Sequence, residues 1–217
     1  MGRKAAGAWA VSRIRRRPIT VNLYTMRVLQ ALLVAALIGA GTAYAEPAQV
    51  ILIRHAEKPA TGPELNAQGF KRAEALVKFF RNNPAVTAYG TPVAIYAAAP
   101  KHEDSSVRSI QTVTPLAKAL GLGVDTSFTR GQTNKIVRAI MEDPAYDGRL
   151  VLICWQHTNL VEIAQNLAAY NNSPRLEVPL VWPDETFDRA WILNLKNGKV
   201  VSFKDLPQRL LPGDSNK

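Results

Sequence analysis

The segment Gln49–Arg54, "QVILIR", sets the strongest constraint on the fold. Its apolar residues, Val50 to Ile53, follow one another without polar alternation. A strand with one wet face alternates, so this run predicts a strand buried on both faces, as in a parallel sheet covered by helices. The run ends in Arg54 and His55, with Glu57 and Lys58 just beyond. Four polar groups at the end of a buried strand call for a chemical explanation.

The rest of the chain supplies partners for such a strand. After a Pro/Gly loop, Asn66 is placed to cap a helix, and Phe70, Ala73, Leu76, Val77 and Phe80 recur at helical spacing along one face. "PVAIYAAAP" reads as a second short strand. "SVRSIQTVTPLAKALGLG" reads as a helix kinked or restarted near Pro115 and stopped at Gly121. "NKIVRAIM" is a third helical piece, "GRLVLICW" a third strand, and "NLVEIAQNLAAY" the helix behind it. "AWILNLKNGKVVSFKDL" predicts a hairpin turning at Asn197-Gly198. Strands alternating with helices imply an α/β layered fold with right-handed crossovers, whose ligand groups collect at the carboxyl ends of the strands.

Composition matters at one point. A formal charge of +10 suggests nucleic-acid binding until its location is traced. Residues 1–45 hold seven of the 27 Lys and Arg and no Asp or Glu, so the remaining 20 face all 17 acidic residues, a net of +3. No basic stripe with interleaved aromatics remains, and the chain is not expected to bind nucleic acid. From Met26 the leader runs through a positive start, an apolar stretch from Val28 to Ile38 and small residues to Ala43-Tyr44-Ala45. That is the order of a secretory signal peptide cleaved after Ala45. Either Met26 is the true start or the positive region is long. The expected domains are thus a leader, 1–45, and a single domain, 46–217, working in the periplasm or outside the cell. A membrane would be met only through an uncleaved leader. A lone cysteine, Cys154, excludes an internal disulfide, and its place after "RLVLI" reads as burial at a strand end.

Three polar clusters fall at strand ends: Arg54 with His55 after the first, Arg108 at the helix entry after the second, and His157 after the third. Paired guanidinium donors match phosphate oxygens and stay charged. A neutral imidazole between them can attack phosphorus, because the arginines depress its pKa. A second, protonated histidine can stabilise charge in the transition state. No metal and no cofactor are required.

These segments resemble the histidine phosphatase superfamily, the phosphoglycerate mutase-like phosphatases, and suggest a small exported bacterial-type member. "ILIRHAEK" matches the family's strand ending in Arg-His, with Ala56 where many members have glycine. "LNAQGFKRAEAL" resembles the helix-opening Leu-x-x-x-Gly-x-x-x-Ala-x-x-Leu. "SVRSIQT" resembles the segment with the second phosphate-binding arginine, and "VLICWQHTNL" the strand that delivers the second histidine. The matches run in family order over roughly residues 49 to 170. The resemblance implies a three-layer α/β/α sandwich with a mostly parallel central sheet and an acid-type phosphatase using no metal. It implies His55 as the nucleophile that becomes phosphohistidine, with Arg54, Arg108 and His157 completing the phosphate pocket. Lys58 and Asn159 are candidates for substrate binding.

The sequence departs from the family pattern at the general acid. His157 is followed by Thr158, and "DTSFTRGQTN" offers only Asp125. Glu57, Glu103 and Asp104 remain as candidates. For Glu57 a structural role is favoured, because a nearby arginine would lower its pKa and make it a poor proton donor. In "AAAPKHEDSSVR", Lys101, His102, Glu103 and Asp104 either line the mouth of the site or form a solvated loop. The expected function is an exported phosphomonoesterase acting on a small phosphorylated substrate. A catalytically impaired phosphate-binding or scaffold protein of the same fold is the alternative, and a membrane-tethered domain with an envelope partner is a third reading.

Overall fold

The structure, a computed structural model, describes residues 46–173 and 176–215. The leader, its apolar segment and the expected cleavage site lie outside the described residues. Among the described residues no helix is long and apolar enough to cross a membrane.

The strands are β1 (Gln49–Arg54), β2 (Ala94–Ala97), β3 (Val124–Asp125), β4 (Leu150–Trp155), β5 (Arg189–Lys196) and β6 (Lys199–Pro207). The helices are α1 (Ala67–Asn82), α2 (Arg108–Leu120), α3 (Thr133–Glu142) and α4 (His157–Ala169). One sheet holds all six strands in the order β3-β2-β4-β1-β5-β6. The β2–β3, β2–β4 and β1–β4 pairings are parallel, and the β5–β6 hairpin joins β1 antiparallel. Only the parallel half lines up carboxyl ends: Arg54 is in register with Trp155, and Ala97 with Cys154. The residues leaving these three strands therefore meet at one edge.

Successive side chains of a strand point to opposite faces, and here both faces are apolar. Val50 and Leu52 of β1 pack with Val151, Ile153 and Trp155 of β4 against α3 and α4. Ile51 and Ile53 pack with Leu150, Leu152 and Cys154 against α1 and α2. The chain leaves β1 through α1 on one face and leaves β4 through α4 on the other. The carboxyl ends of β1 and β4 are thus the switch point at which an open α/β sheet forms its crevice. Cys154 is buried, and burial pushes its thiol up, away from thiolate chemistry.

Local signals hold well. The Asn66 side chain accepts from the Gly69 amide at 2.8 Å, capping α1, and Gly121 ends α2 at φ 69°. The hairpin turns on Asn197 and Gly198 at φ 56° and 74°, the left-handed pair a two-residue turn of this kind requires. Two expectations need correction. The helix after β2 runs as one element through Pro115 rather than restarting there. Phe70 is 46% exposed. At about 100° per residue it lies about 120° around α1 from Leu76, and the buried stripe is completed by Gly69 and Arg72 instead. Periodicity puts Arg72 on that stripe, about 40° from Leu76, although its charge alone would assign it to solvent. It is hidden because its charge is matched inside the protein.

Gly69 is where α1 touches the segment following His55. A β-carbon there would run into the Glu57 carbonyl oxygen and stand 3.0 Å from the Glu57 amide nitrogen. In an open helix, Gly→Ala gains about 1 kcal/mol. Here the sign reverses, and Gly69→Ala is expected to lose about 1–3 kcal/mol through overpacking against backbone. Urea unfolding reads this as a lower midpoint at unchanged slope, and an unchanged or higher midpoint would contradict the close approach.

Candidate active site

Arg54, the last residue of β1, is 2% exposed. Its Nη1 donates to the carbonyls of Pro183 at 3.3 Å and Thr186 at 3.1 Å, and to that of Asp184. Phe187 lies against the guanidinium, 4.0 Å from ring centroid to Cζ. Trp182 braces this loop by donating from Nε1 to the Thr186 carbonyl at 2.8 Å. Burial lowers the guanidinium pKa to about 10, which leaves it charged at neutral pH. The loop before β5 thus wraps around an arginine that it helps to aim.

His55 follows directly and is 4% exposed. Its amide donates to the Trp155 carbonyl at 3.0 Å, tying the ends of β1 and β4 together. Its Nδ1 lies 2.8 Å from the Ala56 carbonyl oxygen. A carbonyl only accepts, so Nδ1 carries the proton and Nε2 keeps its lone pair. Burial drives the imidazole pKa down to about 4; Arg54, Arg108 and His157 push the same way, against the Ala56 bond. The ring is neutral and its tautomer is set.

Arg108 opens α2 and is held from the opposite side. Its Nε donates to the Glu64 carbonyl at 3.1 Å and its Nη2 to that of Gly62. Thr112, one turn on, accepts from the Ala56 amide at 2.8 Å and donates to the Arg108 carbonyl at 2.7 Å, locking α2 to the segment after His55. His157 opens α4, whose first turn has no side-chain cap. Its Nε2 donates to Asp184 Oδ1 at 2.7 Å, and its Nδ1 is buried without a partner. Burial and then Arg54 lower its pKa, and Asp184 pulls it back.

Arg54, His55, Arg108 and His157 line one cavity of about 340 Å³. Lys58 lines it too; Asn159 does not, and its amide donates to Glu162 Oε2 at 3.2 Å. The acid candidates lie elsewhere. Glu57 is bound by Arg72, with contacts at 2.7 and 3.1 Å, and by Gln68 at 3.1 Å. The arginine that occupies Glu57 is therefore Arg72, six positions past the Asn66 cap of α1, and not Arg54. Glu103 and Asp104 are exposed and outside the cavity lining, while Lys101 and His102 of the same turn are inside it. Asp125 sits in β3 and accepts from the Ser127 amide at 2.8 Å.

Sequence reasoning passed over Asp184 and Arg130. Asp184 is 79% exposed at its side chain, yet it contacts His157 and its backbone holds Arg54. Arg130 lines the cavity from the turn before α3. The only local hint was aromatic: Trp182 and Phe187 flank "PDET", which marks that loop as packed rather than free. Among the described residues no three His, Cys, Asp or Glu cluster in a way that could hold a metal ion.

The fold is similar to that of solved structures. The protein histidine phosphatase SixA, in complex with tungstate, aligns with TM-score 0.53 and 13% identity over 74% of this chain and 97% of that one. A mycobacterial glucosyl-3-phosphoglycerate phosphatase aligns with TM-score 0.46 and 12% identity over 73% and 96%. No family model matches the sequence, and no curated protein matches it either. The fold is that of the tungstate-bound phosphatase, a mixed α/β fold of the phosphoglycerate mutase-like kind.

Proposed function

We propose that this chain is a phosphomonoesterase of the histidine phosphatase superfamily, with a three-layer α/β/α domain and a phosphohistidine intermediate on His55. The observation that carries the reading is the buried, neutral His55, with Nδ1–H bonded to Ala56 and its lone pair on Nε2 beside two arginines. In the first step Nε2 bonds to phosphorus as the ester P–O bond breaks, and the departing oxygen takes a proton. In the second a water oxygen bonds to phosphorus, the N–P bond breaks, inorganic phosphate leaves and the water's proton is released. Arg54 and Arg108 stabilise the charge that gathers on the phosphoryl oxygens, joined by the Nε2–H of His157 as it turns to them from Asp184 Oδ1, its partner in this structure, and donors fixed before reaction are worth most. The chemistry needs no metal. Asp184, beside the cavity rather than in its lining and open to solvent, takes the acid role: once His157 turns to the phosphoryl group, its protonated carboxyl donates to the departing oxygen. The leader supports export to the periplasm or beyond, with cleavage after Ala45.

The test is a panel of phosphomonoesters with EDTA present, assayed with the wild-type chain and Asp184→Asn. Turnover of several esters in EDTA is expected. A positioned acid contributes about 10²–10⁴-fold when the leaving group is basic. Asp184→Asn should therefore cost far more on an alkyl phosphate than on p-nitrophenyl phosphate, whose anion leaves unaided. Equal losses on both would remove Asp184 from that role, and no turnover of any ester would remove the phosphatase reading.

A further inference from the structure

The signs of the charges around the cavity are one-sided. Lys58, Lys101 and Arg130 line it in addition to Arg54 and Arg108; no Asp or Glu among the described residues does, and the carboxylate beside it, Asp184, is engaged by His157. Overall composition does not explain this, since residues 46–217 carry 20 basic and 17 acidic side chains. Nor are the three extra cations spoken for: among the described residues none of their side chains has a hydrogen bond or an ion pair. Buried or clustered charges elsewhere are matched, as Arg72 is by Glu57 and Asp214, and Arg189 by Asp205.

The three come from three separate loops, and each loop is fastened. The Lys58 carbonyl accepts from Asn66 Nδ2 at 3.2 Å. The turn carrying Lys101 is closed by His102 and Ser105, which exchange bonds of 3.0 Å. The Arg130 carbonyl accepts from Trp155 Nε1 at 2.9 Å, and the preceding Phe128 carbonyl accepts from the Ala99 amide at 2.8 Å. Arg130 is thereby pinned to the ends of β2 and β4, the strands that build the site.

A phosphate monoester carries about two negative charges at neutral pH. Arg54 and Arg108 balance them. Three positive charges then remain, each on an exposed side chain lining the cavity and available to a second anion, and the low-dielectric walls strengthen their pull on it. We propose that Lys58, Lys101 and Arg130 form a second anion subsite, so that the substrate is a small bianion carrying a phosphate or carboxylate besides the phosphoryl group that is transferred. This rests on the phosphatase reading for its account of the inner site. A cavity of about 340 Å³ lies at the small end of ligand pockets and suits a compact molecule.

The experiment compares matched ligands. Propane-1,3-diol monophosphate is set against its 1,3-bisphosphate, and glycerol 3-phosphate against 3-phosphoglycerate. Calorimetric binding uses full-length His55→Ala, which retains uncleaved ligand, and turnover uses the wild-type chain. The ligand with two anionic groups in at least one pair should bind about tenfold or more tightly than its partner with the phosphate alone at low salt, and the pair that shows it tells phosphate from carboxylate. In the Lys58→Gln, Lys101→Gln, Arg130→Gln triple variant, with far-UV circular dichroism matching the parent, that ratio should fall to within about twofold. Equal binding within both pairs, or a preference that survives the triple change, overturns the subsite. If the triple variant does not fold, the three single variants are read the same way, each expected to lower the ratio. A chain that prefers the bianion but hydrolyses none of the four keeps the subsite and loses the phosphatase reading. One that hydrolyses both members of each pair with equal kcat/KM and binds them equally does the reverse.

Discussion

His55→Ala is expected to reduce phosphomonoester turnover on the order of 10⁴-fold or more, since removing a nucleophile is among the largest losses a catalytic site can suffer. It should also abolish an acid-labile, base-stable phosphoryl adduct trapped by rapid quench. The ring that would carry the phosphate has its Nδ1 proton committed to Ala56 at 2.8 Å. Burial comes first among the causes that drive its pKa down to about 4, with Arg54, Arg108 and His157 adding to it. Nε2 therefore stays unprotonated far below the ordinary histidine value, and the acid limb attributable to His55 in kcat/KM should lie well under pH 6.

The same shift has a stability consequence of opposite origin. In the unfolded chain this histidine takes up its proton near pH 6.5, while in the folded chain it resists until about pH 4. Between those values the unfolded state binds more protons, so folding stability falls as pH is lowered through that window and levels off beneath it. At 1.36 kcal/mol per pH unit the full effect is about 3 kcal/mol. Urea unfolding of the wild-type chain should show this decline, and His55→Ala should lack it. An adduct that persists in the variant would assign the phosphate elsewhere. Identical pH profiles for the two proteins would mean that His55 titrates normally.

What could be read in advance was what short segments encode. "QVILIR" and "GRLVLICW" announce doubly buried strands because burial on both faces suppresses alternation, and the strands they form, Gln49–Arg54 and Leu150–Trp155, are wholly buried. The Asn66 cap and the Asn197-Gly198 turn rest on backbone chemistry within four residues. Arg54, His55, Arg108 and His157 share one cavity because strands in parallel register deliver their carboxyl ends to one edge. What could not be read depends on partners far along the chain. Arg72 meets Asp214 across 142 positions, and the Pro183, Asp184 and Thr186 carbonyls reach Arg54 across about 130. Nothing local in "PDET" announces that its backbone will grip a buried guanidinium. The edge strand β3, two residues long, is too short to leave a pattern.

Arg72→Met is expected to be the most destabilising substitution of a charged residue in the described structure. The Arg72 side chain is 3% exposed and faces two carboxylates at once. Its Nε and Nη2 take Glu57 at 3.1 and 2.7 Å, and its Nη1 and Nη2 take Asp214 at 2.9 and 2.7 Å. Burial alone would lower the guanidinium pKa, but the two carboxylates outweigh it and raise it. Burial would likewise raise Asp214, yet Arg72 and the amides of Leu211 and Leu210 hold it below the usual carboxylate range. The network joins three distant parts: the segment leaving His55 through Glu57, the buried stripe of α1, and the C-terminal segment that Asp214 ties down by accepting from Leu210 at 2.7 Å and Leu211 at 3.0 Å. Methionine fills much of the space but leaves the two buried carboxylates without their countercharge, Glu57 held by Gln68 and Asp214 by the Leu210 and Leu211 amides, and breaking a buried pair in this way costs about 3–5 kcal/mol. For a domain of this size that lowers Tm by roughly 10 °C. Because Glu57 borders the segment that sets His55, turnover should fall at temperatures where the variant is still folded. Arg138→Met is the internal comparison: its partner Glu142 is at 2.8 Å, but the Arg138 side chain is 75% exposed. Such a pair is worth less than about 1 kcal/mol. Adding Glu57→Gln and Asp214→Asn to Arg72→Met removes the stranded charges and should recover part of the loss, whereas a further drop would show that packing, not charge, makes Arg72 matter. Thermal unfolding that left Arg72→Met within about 1 kcal/mol of wild type, alongside Arg138→Met, would mean that the two carboxylates find other partners and that the network does not hold the C-terminal segment against the site.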